Sequence, residues 1–153
     1  YPELLMMQTE NECGDGRNSW EYARYVFDLF RHYLSNGANV YCYWNMVLDE
    51  GGASAWNWRQ NTMITVSPST ATYRLEHECH VMRHFSGSVQ PGAQRLVLRG
   101  HWAGNAVAFR NRDASVVLVI QNPLADARPV SFAADDRQVN LTLAPDSINT
   151  VVL

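Results

Sequence analysis

Glu10 opens a polar stretch, Glu10-Asn-Glu-Cys-Gly-Asp-Gly-Arg-Asn18, directly after the apolar run Glu3-Leu-Leu-Met-Met-Gln-Thr9. Trp44-Asn45 follows at the end of a second apolar run, and Trp56, Trp58, Gln60 and Asn61 fall in the next loop. A carboxylate, planar amides and indole rings are the groups that handle a sugar: one attacks, the others bind hydroxyls and stack on the ring. Glycoside cleavage with retention uses two carboxyl groups about 5–5.5 Å apart. One attacks the anomeric carbon; the other protonates the leaving oxygen and later activates water. The same residues also admit a purely structural reading, in which Glu10 caps the following helix or pairs with Arg17 and the tryptophans fill a core.

The elements that must position these residues are legible from periodicity. The run 3–9 reads as a buried parallel strand, because strands covered on both faces are continuously apolar. Ser19 is a suitable N-cap. From it, Trp20, Ala23, Val26, Phe27, Phe30 and Leu34 recur at helical spacing, and Asn36-Gly37 ends the helix. Residues 38–46 form a second strand-like run. Strand, loop, helix, turn and strand make a βαβ unit, whose two strands are parallel. Glu10 then lies at a strand's C-terminal end, the edge that carries chemistry in (β/α)₈ barrels. Two fully apolar strands cannot cover both faces by themselves, so the chain is expected to lack its barrel neighbours.

Residues 62–66 and 70–74 read as a hairpin across Ser67-Pro-Ser69, 77–85 as a short helix, and Pro91-Gly92 as a boundary. Beyond it the pattern is all-β, with strands expected at 95–99, 105–111, 115–121, 129–134, 138–143 and 148–153. Spacing of that kind suggests a β-sandwich.

Met7-Gln-Thr-Glu-Asn-Glu-Cys-Gly14, Tyr43-Trp-Asn-Met46, Glu50-Gly-Gly52 and Trp56-Asn-Trp-Arg-Gln-Asn61 together resemble glycoside hydrolase family 30. Val81-Met-Arg-His-Phe-Ser86 and Val89-Gln-Pro-Gly92 resemble that family's link into its β-sandwich. The family includes glucosylceramidases, β-1,6-glucanases and related β-xylosidases. The resemblance implies the C-terminal part of a (β/α)₈ barrel followed by a β-sandwich. The expected division is a barrel segment over 1–66, a linking hairpin and helix over 67–92, and the sandwich over 93–153. It further implies a retaining β-glycosidase acting by double displacement, with Glu10 as nucleophile and Trp44, Asn45, Gln60 and Asn61 around the substrate. The family's acid/base glutamate follows an asparagine in an Asn-Glu-Pro motif that does not occur here. Asn11-Glu12 sits too close to Glu10 to stand across the sugar from it, and Glu12 is expected to be structural. The expected substrate is a β-linked glycoside or oligosaccharide, with no metal or organic cofactor. Little activity is expected of the chain alone, and self-association or a companion chain should complete the barrel.

Other readings are narrower. A non-catalytic carbohydrate-binding module on the sandwich would need an aromatic platform there, and residues 95–153 offer only Trp102, Phe109 and Phe132. His77, Cys79, His80 and His84 invite a metal reading, but Val81 breaks the H-E-x-x-H pattern. A net charge of −3, with twelve scattered arginines as the only basic side chains, gives no nucleic-acid footprint. Cys13, Cys42 and Cys79 form no C-x-x-C pair. No apolar run approaches the roughly 20 residues of a membrane span, and Tyr1-Pro2-Glu3 has no signal-peptide character. Location is left open, with secretion among the options.

Overall fold

Helix α1, Trp20–Ser35, forms where the apolar spacing placed it, burying Ala23, Val26, Phe27 and Phe30 on one side. Ser19 holds its first turn, its hydroxyl accepting from the Tyr22 amide at 3.2 Å. At the other end the Asn36 side-chain amide donates to the His32 carbonyl at 2.7 Å, and Gly37 turns the chain with φ of +98°. Only a residue without Cβ takes that angle cheaply. The helix connects strand β1, Met7–Gln8, to strand β2, Val40–Tyr41. The two pair in parallel, Met7 opposite Val40 and Gln8 opposite Tyr41, and Phe30 of the helix stacks on Tyr41. The expected βαβ unit is therefore present.

These features belong to a computed structural model that describes residues 3–10 and 13–153. Asn11 and Glu12, the pair expected to be structural, lie outside the described residues. The chain divides into two compact units, Tyr1–Arg83 and His84–Leu153.

In the first unit both apolar runs form shorter strands than their composition suggests. Leu4, Leu5, Met6 and Met7 are 65%, 77%, 55% and 54% exposed. Their sheet has only two strands, so nothing among the described residues covers the run on both faces, and ladder bonding is confined to two residues. The run 38–46 likewise divides. Its start is β2, and the chain continues into β3, Val47–Asp49, which pairs in parallel with β4, Ile64–Ser67. Strand β5, Thr72–Leu75, completes the expected hairpin against β4. Helix α2 spans His77–Ser86.

The second unit is built from alternation. Strands β6 (Gln94–Leu96), β7 (Ala106–Arg110), β8 (Val116–Asn122) and β11 (Ser147–Val152) form an antiparallel sheet in the order β11-β8-β7-β6. Strands β9 (Arg128–Ala134) and β10 (Arg137–Leu143) form a hairpin whose turn places Asp135 at φ of +55°. Ala106, Ala108, Leu118 and Ile120 from the sheet meet Val130 and Leu143 from the hairpin, the two layers of a sandwich. Val107, Phe109, Val117 and Val119 point to the sheet's other face and are buried as well, which is why β8 reads as continuously apolar rather than alternating.

Candidate active site

Glu10 is exposed two residues beyond the end of β1. The Cys42 amide donates to the Gln8 carbonyl at 2.9 Å, and the Gln8 side-chain amide bonds the Glu10 carbonyl, fixing the backbone on which the carboxylate stands. Parallel register carries the neighbouring chain from Tyr41 to Trp44-Asn45 along the same edge. Trp44 is 40% exposed, and the peptide joining it to Asn45 is cis.

Trp56 and Trp58 are 68% and 62% exposed, with ring centroids 6.1 Å apart. They are not core residues. Their loop is tightly made: the Ser54 hydroxyl accepts from the Trp56 and Trp58 amides at 3.2 and 3.4 Å, and the Gln60 amide returns to the Gly52 carbonyl at 2.7 Å. Exposed indoles on a rigid loop suit stacking against a sugar face. The other structural alternatives for these residues are also met differently. Arg17 pairs with Asp15 at 2.7 Å, and Ser19 supplies the helix cap.

Beneath this rim lies a buried polar layer. Gln60 is 3% exposed; its oxygen accepts from the Asn45 amide at 2.8 Å and its amide donates to Cys13 Sγ at 3.1 Å. Asn61 is fully buried. Its Oδ1 accepts from the amides of Gly16 at 2.8 Å and Asn18 at 3.3 Å, and its Nδ2 donates to Glu78 Oε1 at 2.7 Å. The Asn61 amide also donates to the Cys13 carbonyl at 2.6 Å, and the Thr62 amide to Asn18 Oδ1 at 2.8 Å. Residues 60–62 thus tie down the chain from Cys13 to Asn18. Gly14, at φ of +68°, lies so close that a Cβ there would stand 2.6 Å from Asn61 Cγ.

Of the five residues expected at the site, Glu10 and Trp44 are exposed, Asn45 is half-buried, and Gln60 and Asn61 are buried beneath them. The structure adds two residues that sequence reasoning did not single out for the site, Glu78 and Tyr43. Glu78 is fully exposed to no solvent at all, at 0% accessibility. Burial raises its pKa from 4.5 to about 7, against the lowering effect of the Asn61 amide and with added repulsion from Glu76 and Asp15. Tyr43 is likewise pushed upward, by burial first and then by Glu78. Glu78 Oε2 and Tyr43 Oη have no hydrogen-bond partner among the described residues. Glu76, two residues away, behaves oppositely. Burial opposes its ionisation, but hydrogen bonds from Arg74 and Thr65 hold it below its ordinary range, with Arg74 Nη2 at 2.6 Å. The only sequence signal for Glu78 was its place in His77-Glu-Cys-His80, which drew attention to metal binding instead.

Among the described residues no group of three His, Cys, Asp or Glu side chains is arranged to hold a metal ion. His77 lies edge-on to Trp20, and His84 Nδ1 hydrogen-bonds Thr150 Oγ1 at 2.8 Å. On the sandwich, Phe109 is buried, and Trp102 and Phe132 pack against the core. Trp102 and Phe132 are half-buried and line a cavity of about 150 Å³ together with Arg99 and His101. No helix of the described residues is long and apolar enough to cross a membrane.

Residues 92–151 match the glycosyl hydrolase family 30 beta sandwich domain. Over 99% of its length the chain is 30% identical to a protein described as putative glucosylceramidase 4 of Caenorhabditis elegans, of which it spans 32%. Among solved structures, SrfJ from Salmonella typhimurium superposes with a TM-score of 0.87 at 22% identity, covering 99% of this chain and 35% of that one. An endo-β1,6-glucanase superposes with a TM-score of 0.85 at 19% identity, covering 98% of this chain and 36% of its own. The chain carries the family 30 β-sandwich and resembles the C-terminal part of a glycoside hydrolase of that family. It spans about a third of the length of the curated relatives it matches.

Proposed function

We propose that this chain is the nucleophile-bearing segment of a retaining β-glycosidase that cleaves β-linked glycosides. The observation that carries the reading is the shared edge: Glu10 is exposed past the end of β1, and Trp44-Asn45 follows the parallel strand β2. In the first step the Glu10 carboxylate attacks the anomeric carbon as the glycosidic C–O bond breaks, and a proton passes to the leaving oxygen. Water then attacks the glycosyl ester and frees Glu10. Trp44 borders the sugar, with Trp56 and Trp58 as further stacking surfaces. Asn45 lies beside Trp44 on that edge, while Gln60 and Asn61 contribute from beneath by holding the Asn45 side-chain amide and the loop after Glu10.

The proton donor belongs to a complementary part of a (β/α)₈ barrel, in which residues 1–66 supply the last βαβ unit, 67–92 the link and 93–153 the sandwich. The exposed run Leu4–Met7 supports this, because contiguous apolar surface is normally covered. A companion segment or a second copy would cover it. Alone, the chain should turn over natural glycosides poorly, since a poor leaving group needs a proton.

The test uses 2-fluoro β-glycosides with a dinitrophenolate leaving group, which departs without protonation. Incubation of the chain followed by intact-mass and peptide analysis should give a single glycosyl adduct on Glu10, absent from Glu10→Gln. An adduct at another carboxylate, or none with β-gluco, β-xylo or β-fuco reagents, would refute the assignment.

A further inference from the structure

We infer that Glu78 is a positioning residue for Glu10: its buried carboxyl orients the Asn61 side-chain amide, which ties down the loop that follows the candidate nucleophile. The identity of what is positioned rests on the glycosidase reading, whereas the clamp itself does not.

A side-chain amide has two unlike ends. Asn61 Oδ1 accepts from two backbone amides, Gly16 and Asn18. Its Nδ2 must therefore face an acceptor, and Glu78 Oε1 lies 2.7 Å away. Rotating the amide by half a turn would set N–H against the two backbone N–H groups and oxygen against the carboxyl. Glu78 thus selects the one orientation in which Asn61 holds the loop. Sliding is blocked too, because the Asn61 side chain is packed directly against Gly14. Both side chains are fully buried, so water offers no substitute partner. The chain held in this way begins at Cys13, three residues after Glu10. Glu78 comes from helix α2, a different element from any that carries an expected site residue.

The experiment is done on the whole chain. Amide exchange at Gly16 and Asn18 is compared in the unaltered protein, Glu78→Leu and Glu78→Gln, with Val107 and Val119 as controls in the other unit. Leaving the buried Asn61 amide without its acceptor corresponds to roughly tenfold to hundredfold in an opening equilibrium. Exchange is followed at about pH 4.5, where buried Glu78 keeps its proton and is neutral like Gln. At Gly16 and Asn18 it should accelerate by that factor in Glu78→Leu, while Glu78→Gln, which keeps an oxygen facing Asn61, should stay within about threefold. The maximal rate of Glu10 glycosylation by the fluoroglycoside should fall and be rescued in the same order. A wild-type titration settles the matter even if Glu78→Leu does not fold. The Asn61 side-chain NH₂ resonances should move with the same midpoint as the Glu78 carboxyl carbon. Asn61 resonances that ignore that titration, or unchanged Gly16 and Asn18 exchange in a folded Glu78→Leu, overturn the inference. A missing Glu10 adduct in the unaltered protein instead counts against the glycosidase reading, and exchange and titration then decide the clamp by themselves.

Discussion

Replacing Glu78 by Gln should make the first unit more stable above neutral pH and remove part of its pH dependence. Burial lifts the Glu78 pKa from 4.5 to about 7. The folded chain therefore holds a proton that the unfolded chain has released, throughout the window between those values. Stability from this group is fully present below about pH 4.5, declines as pH rises, and is lost above about pH 7. At about 1.4 kcal/mol for each tenfold change in acid strength, the whole effect is roughly 3 kcal/mol. Gln carries no proton to lose, so the stability of Glu78→Gln relative to the unaltered protein should climb by about 3 kcal/mol between pH 4.5 and 8. Asp15 and Glu76 face Glu78 and raise its pKa in the same sense, and Tyr43 stays neutral over the range. Urea unfolding followed by tryptophan fluorescence reports mainly this unit, because four of the five tryptophans, Trp20, Trp44, Trp56 and Trp58, lie within residues 1–83 and Trp102 alone lies in the other. A difference that stays flat within about 0.5 kcal/mol, or falls as pH rises, would refute the account of Glu78 as a desolvated carboxyl.

Further outcomes follow from other parts of the chain. In a full-length parent, Glu10→Gln should leave no more than a few per cent of turnover, measured on an aryl β-glycoside, because a neutral amide cannot attack the anomeric carbon. Gly14→Ala should cost about 2 kcal/mol or more in urea unfolding, from its left-handed φ and a Cβ placed against Asn61. Ile120→Ala should cost about 2–5 kcal/mol in the second unit, since Ile120 is 2% exposed in the sandwich core. Exchange of amides on β7 and β8 would register that loss, whereas those of α1 should keep their protection.

The all-β half was the most legible part of the chain, and the reason is local. Each expected strand from 105 onward reappears within one residue at each end, for example 115–121 as Val116–Asn122, because turn residues and alternation mark strands that pair with sequence neighbours. The runs 3–9 and 38–46 were harder. Their composition records burial by partners distant in sequence, so apolar character predicted more strand than two paired residues supply. Helix α1 needed no such partner information: its cap, its apolar spacing and its terminal Asn-Gly are all contained within nineteen residues of each other.

At the site, residue type revealed polarity but not direction. Glu10 and Trp44 are exposed at strand ends, where position alone sets their orientation. Gln60 and Asn61 carry the same chemistry that contacts sugars, yet an amide binds a backbone N–H as readily as a hydroxyl, and no spacing rule distinguishes the two. What turns Asn61 inward is a carboxyl seventeen residues away on another element, and what makes that carboxyl unusual is its burial, which raises its pKa. Arg74 reaches Glu76, whereas on Glu78 the Asn61 amide bonds Oε1 and Oε2 has no hydrogen-bond partner among the described residues. The two glutamates are interchangeable in sequence terms, two positions apart on either side of His77. Only the fold decides that Glu76 is held ionised by Arg74 and Thr65, while Glu78 is desolvated beneath the rim. A pattern search finds residues that touch a substrate by their type; it misses the residues that aim them, because aiming depends on partners that periodicity does not encode.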